Sequence, residues 1–216
     1  MPMKPSEREY RNFTLSVIEN DQEQENESRT INGYASTFNE PYTLFEDEDM
    51  VIREQVAPEA FNDADMSDVI MQYDHEGRVF ARMSNGTLTV EPDEHGLAVR
   101  AELGGTELGR QLYEEIRGGY TTKMSFGFSV PDDGETWEQV AEGTRTIHTR
   151  TITRVRKVYD VSAVSLPAND GTEISVRNLS EGVIEKVKAE RLKALETERR
   201  RLELKLRLLT GGKNNE

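Results

Sequence analysis

A two-residue apolar rhythm through the middle of the chain constrains its fold more than any other feature. Met124, Phe126 and Phe128 alternate with Ser125, Gly127 and Ser129, and Leu97, Val99, Ala101 and Leu103 alternate with Ala98, Arg100 and Glu102. Successive side chains of an extended strand point to opposite faces, so this period predicts strands with one face buried and the other wet. Further short apolar segments at 13–18, 31–37, 51–56, 69–73, 88–90, 146–156 and 158–166 are separated by turn signals such as Asn85-Gly86, Glu94-His95-Gly96 and Asp132-Asp133-Gly134. Together they predict a mainly antiparallel sheet, closed on itself.

Two helices interrupt or follow this pattern. In the first, Thr106 is placed to cap, Leu108, Leu112, Tyr113 and Ile116 make an apolar stripe, and Gly118-Gly119 ends it. From about Ser180 the composition turns to Glu, Lys, Arg and Leu, with Ile184, Val187, Leu192, Leu195, Leu202, Leu206 and Leu209 recurring at near-helical spacing up to Gly211-Gly212. A β domain over residues 1–178 and an amphipathic helix with its tail over 179–216 are therefore expected. The acidic stretch Asp21 to Ser28 reads as a solvated hairpin loop.

Composition removes several kinds of function. The 27 Lys and Arg against 41 Asp and Glu give a net charge of −14, which argues against a protein whose task is to neutralise nucleic-acid phosphates. With no cysteine, thiolate metal sites, iron–sulfur clusters, disulfides and cysteine nucleophiles are all excluded. No apolar run of about 18 residues occurs and the first residues are charged, so neither a membrane span nor a signal peptide is expected.

The polar residues that could carry chemistry are few. His95 lies in a turn, and His148 shares the polar parity of its strand with Arg150 and Arg154, so both read as solvated histidines. His75 differs because it follows the apolar run Val69 to Tyr73 and is held at a strand end. Ser125 falls on the face opposite Met124, Phe126 and Phe128, beside Gly127, whose missing side chain would let a substrate backbone approach. Asp160 begins a segment of otherwise apolar and small residues, where a carboxylate is unfavourable unless hydrogen-bonded, for example to an imidazole N–H. A metal site from Asp74, His75 and Glu76 is disfavoured, since neighbouring strand residues face opposite ways.

The order histidine, serine, acid comes with Gly33-Tyr34-Ala35-Ser36, Asp74-His75, Gly96-Leu97-Ala98-Val99, Met124-Ser125-Phe126-Gly127-Phe128 and Asp160-Val161-Ser162-Ala163-Val164-Ser165-Leu166-Pro167-Ala168. From Phe13 to Ser175 the chain thereby resembles the tailed-phage prohead proteases, serine endopeptidases of the assemblin-like type. Each motif is weak alone, and five in the right order are specific. The resemblance implies a closed antiparallel β-barrel flanked by helices, with Ser125 as nucleophile, His75 as base and Asp160 as the acid that orients it. The family position of Asp160 is more often Glu, and related viral enzymes use a second histidine, so the third member stays open between Asp160 and His148. No cofactor and no metal are implied.

The implied role is cleavage of the scaffold segment of the major capsid protein, and of the protease itself, inside the immature prohead in the host cytoplasm. The implied partners are the capsid protein with its scaffold segment and, through the C-terminal helix or the barrel, a further copy of the chain; neither membrane nor nucleic acid is implied. The alternative is a non-enzymatic capsid or scaffold assembly protein, which would need no such ionisable trio.

Overall fold

The computed structural model describes residues 8–14, 29–165 and 173–210, with side chains at 8–11, 29–165 and 182–206. Its strands are β1 (Glu9–Thr14), β2 (Thr30–Thr37), β3 (Tyr42–Glu46), β4 (Met50–Val56), β5 (Ile70–Tyr73), β6 (Glu76–Arg82), β7 (Leu88–Pro92), β8 (Gly96–Glu102), β9 (Lys123–Ser129), β10 (Glu135–Glu142), β11 (Arg145–Ile152) and β12 (Lys157–Val164). The helices are α1 (Glu107–Arg117), whose first turn is capped by the Thr106 hydroxyl accepting from Gly109 N–H at 3.0 Å, and α2 (Glu173–Thr210). Helix α2 begins ahead of Ser180, where the apolar spacing becomes visible. The expected loop at Asp21 to Ser28 lies outside the described residues. Among those residues no helix is long and apolar enough to cross a membrane.

Among the described residues no sheet closes into the expected barrel. The strands make three sheets, ordered β1-β9-β12-β5-β6, β10-β11-β4-β3 and β2-β8-β7. Two pairings, β12 with β5 and β11 with β4, are parallel. Alternation in a sequence reports which face of a strand is buried and carries no information on whether the two edges of a sheet meet. Strands β3, β6 and β10 escaped the apolar pattern because they are largely exposed.

The chain divides into two compact units, of which the one running from Lys4 to Ser180 contains all the described strands. Its core gathers Ile31, Phe61, Val69, Met71, Leu97, Val99, Met124, Phe126, Phe128, Val158 and Val161, all at most a few per cent exposed. Phe126 and Phe128, two residues apart on β9, stack with ring centroids 4.5 Å apart on the core face. That leaves Ser125, Gly127 and Ser129 on the other face.

On the core side of β1 lies a buried cluster of charge. Glu54 on β4 accepts hydrogen bonds from Arg11 Nη2 (2.8 Å), from Arg150 Nη1 (2.6 Å) and from the Tyr42 hydroxyl (2.5 Å), as well as from Arg11 Nε. Arg150 on β11 also binds Glu9 Oε2 at 2.6 Å and Glu135 at 2.6 Å, and Glu9 accepts from Arg11 Nη2 at 2.7 Å. Burial alone would push the Glu54 carboxyl up, but the two guanidinium groups outweigh it and hold the carboxyl at about 2. Burial and the neighbouring Glu54 carboxylate together push the Tyr42 phenol well above its usual value.

Candidate active site

His75 is carried by the tightest of loops. Strands β5 and β6 pair from Tyr73 to Glu76, leaving Asp74 and His75 as the two central residues of the hairpin, with φ of +49° and +59°. Positive φ at both positions is the signature of a type I′ turn, whose twist suits the flanking strands; Asp and His tolerate it better than most residues. The turn is fastened to β12 by the Asp74 N–H donating to Ala163 O (2.9 Å) and by the Asp74 carboxylate accepting from the Ser165 N–H (2.9 Å) and hydroxyl (2.8 Å). Asp74 thus anchors the turn, and its carboxylate is occupied by Ser165.

Ser125 and Asp160 reach the turn from two adjacent strands. Antiparallel pairing of β9 with β12 sets Ser125 opposite Ser162 and Gly127 opposite Asp160, so all four share one face. A bulge between Val158 and Asp160 produces this register, because Val158 still pairs with Phe128 on the core side. Without the extra residue, Tyr159, the carboxylate would point to the core face.

The three side chains meet. His75 Nε2 lies 2.6 Å from Ser125 Oγ, and Nδ1 is hydrogen-bonded to Asp160 Oδ2. With the proton on Nδ1 directed at the carboxylate, the Nε2 lone pair faces the serine hydroxyl, which donates to it. Ser125 is 0% exposed and Asp160 1%, whereas the imidazole keeps 12%, so the relay is shielded from bulk water with the ring at its mouth. In such surroundings charge–charge and hydrogen-bond terms are stronger than in water.

His148 sits elsewhere, on β11 opposite Gln139 and Ile52 in the four-stranded sheet; Asp160 is the group that meets Nδ1. His95 lies between β7 and β8 with its ring edge-on to Tyr34 at 4.5 Å. Gly127 has a use other than the one its sequence suggests. A Cβ there would stand 2.5 Å from Asp160 Oδ1 and 2.8 Å from Tyr10 Cε1, so the missing side chain makes room for the carboxylate and the tyrosine ring.

Three contributors are not singled out by the sequence. The Ser162 hydroxyl donates to Asp160 Oδ2 at 3.2 Å and accepts from the His75 backbone N–H at 3.3 Å, tying turn and carboxylate together. Tyr10 places its ring 4.2 Å from the imidazole, and Arg8 Nη1 lies 3.5 Å from Asp160 Oδ1. Only Ser162 lay within a recognisable motif; the other two sit in a charged N-terminal stretch that reads as solvated.

A hydroxyl, an imidazole and a carboxylate in series form the arrangement that activates a serine toward a carbonyl carbon. Comparison with curated proteins found no match, and comparison with solved structures found none. The sequence model of the caudovirus prohead serine proteases, in contrast, matches residues 14–189. That span contains all three side chains of the relay, and the chain belongs to the caudovirus prohead serine protease family.

Proposed function

We propose that this chain is a serine endopeptidase in which Ser125 is the nucleophile, His75 the general base and acid, and Asp160 the group that orients the imidazole. The observation that carries the reading is the continuous hydrogen-bonded path from Ser125 Oγ through both ring nitrogens of His75 to Asp160. In the first step the serine oxygen bonds to the scissile carbonyl carbon as its proton passes to Nε2. The imidazolium so formed is stabilised by Asp160 and gives that proton to the amine nitrogen as the C–N bond breaks. Water then enters, the same nitrogen takes its proton, and the acyl group leaves as a carboxylic acid while the serine hydroxyl is restored.

The substrates we assign are the scaffold segment of the major capsid protein and the protease chain itself, cut inside the immature prohead in the host cytoplasm. Within the chain, residues 1–178 carry the chemistry and 179–216 serve to engage shell or scaffold protein, or a further copy. The exposed Leu192, Leu195 and Leu202 support this division, since an apolar stripe on a helix surface suits association.

A fluorophosphonate probe tests the chemistry. Wild-type protein should be modified on the peptide containing Ser125, and Ser125→Ala or His75→Ala should not. Co-expressed capsid protein should be shortened by the wild type and remain full length with Ser125→Ala. Equal shortening by both would overturn the assignment.

A further inference from the structure

We propose that the N-terminal strand β1 is a positioning element of the site, acting on the His75–Asp160 pair through Tyr10 and Arg8 and latched in place by Glu9 and Arg11. The inference rests on the serine-protease reading above and goes beyond the three side chains it names.

The period of the strand separates two tasks. Glu9 and Arg11 point to the core side, where both are at most 4% exposed and join Glu54 and Arg150. Arg8 and Tyr10 point to the site side. There the Tyr10 ring lies 4.2 Å from the imidazole of His75, inclined at 53°, and fills the space left by Gly127. Arg8 spans 4.0 Å from its guanidinium carbon to the Tyr159 ring and 3.5 Å from Nη1 to Asp160 Oδ1.

These contacts complete what the hydrogen bonds leave undone. The hydrogen bonds at the two nitrogens set the rotation of the His75 ring about Cβ–Cγ, but they are weak against a swing of the whole side chain about Cα–Cβ away from Ser125 and Asp160. Tyr10, packed 4.2 Å from the ring, limits that swing. In the carboxylate, Oδ2 is used by His75 and Ser162, and Arg8 restrains Oδ1. Among the described residues β1 is an edge strand of its sheet and pairs with β9. An edge strand so placed would be loosely held by pairing alone, and the core-side charges supply the missing fastening. Without β1 in register, Glu54 and Arg150 would each lose buried partners of opposite charge, an unfavourable state that favours the docked strand.

The test uses the full chain and the saturation kinetics of fluorophosphonate labelling at Ser125, with thermal unfolding as the check on folding. Tyr10→Ala should lower the limiting labelling rate about ten- to a hundred-fold with little change in the half-saturating probe concentration, as expected for loss of alignment rather than of binding. Tyr10→Phe, which keeps the ring, should restore the rate. A folded Tyr10→Ala protein that labels at the wild-type rate would overturn the proposal. Should Tyr10→Ala fail to unfold cooperatively, Arg8→Met decides: its side chain is 40% exposed, so the fold tolerates it. A severalfold slower limiting rate in that variant supports the proposal, and an unchanged rate overturns it. Wild-type protein that leaves Ser125 unlabelled would instead overturn the underlying chemistry, and this inference with it.

Discussion

Asp160 occupies the volume that a side chain on Gly127 would need: a Cβ at that position would stand 2.5 Å from Asp160 Oδ1. The carboxylate is 1% exposed and is held by His75 and Ser162, so it has little room to withdraw. Gly127→Ala is therefore expected to push the carboxylate off Nδ1 and to disturb Tyr10 as well. We expect labelling of Ser125 to slow by about a hundredfold, the scale of an ångström-sized misalignment, with a stability loss of about 1–3 kcal/mol from overpacking. Fluorophosphonate kinetics and urea denaturation of the same variant measure the two effects separately.

Removing the charge of Asp160 without changing its shape isolates its electrostatic part. In Asp160→Asn an amide nitrogen in the place of Oδ2 no longer accepts from Ser162 and offers an N–H to Nδ1, which stabilises the tautomer with the proton on Nε2. That tautomer cannot accept the serine proton. By analogy with the same change in other serine proteases, kcat should fall on the order of 10⁴-fold. Ser162→Ala removes one hydrogen bond to Asp160 and one from the His75 backbone, so a smaller, roughly tenfold loss is expected. Cleavage of co-expressed capsid protein, followed over time, ranks the two.

The buried charge cluster makes a stability prediction independent of chemistry. Arg150 binds Glu9, Glu54 and the partly exposed Glu135, and Arg150→Met would leave the buried carboxylates of Glu9 and Glu54 short of a partner. Breaking one side of such a pair is expected to destabilise the fold by about 3–5 kcal/mol. Equilibrium denaturation at neutral pH measures it, and a loss below about 1 kcal/mol would mean that the cluster is far better hydrated than its burial indicates.

The same cluster gives the fold an acid limit. The carboxyl of Glu54 lies at about 2 in the fold against an ordinary 4.5. A carboxylate whose pKa is depressed by folding contributes stability that is complete above its unfolded value and is lost as pH falls toward the folded one. Stability should thus decline between about pH 4.5 and 2 through this group, and Glu54→Gln should lower stability near neutrality while making the acid decline shallower. Urea midpoints across that range test both parts.

Much of the site was legible in the sequence because its residues sit in patterned surroundings. Ser125 interrupts an apolar rhythm on one side only, and Asp160 is a charge among small and apolar residues. Their meeting was less visible. It depends on a one-residue bulge at Tyr159 and on the positive φ of Asp74 and His75, and neither leaves a mark in hydrophobic periodicity. Glu9, Arg11, Glu54 and Arg150 went unread for a different reason. Charged residues are ordinarily exposed, and the partners that allow these four to be buried come from β1, β4 and β11, which are remote in the chain. Open sheets and parallel pairings were missed because pairing partners are a tertiary property, decided by which edges find each other.

Strand β12, the last in order of the described strands, lies at the centre of its sheet between β9 and β5. Until it leaves the ribosome, β5 and β9 have nothing to join them, and the imidazole at 75 has no acid to hold it. On the chemistry proposed above, a chain that stops short of Asp160 would lack the acid that orients His75. On that reading, competence would follow only once β12 lies between β9 and β5.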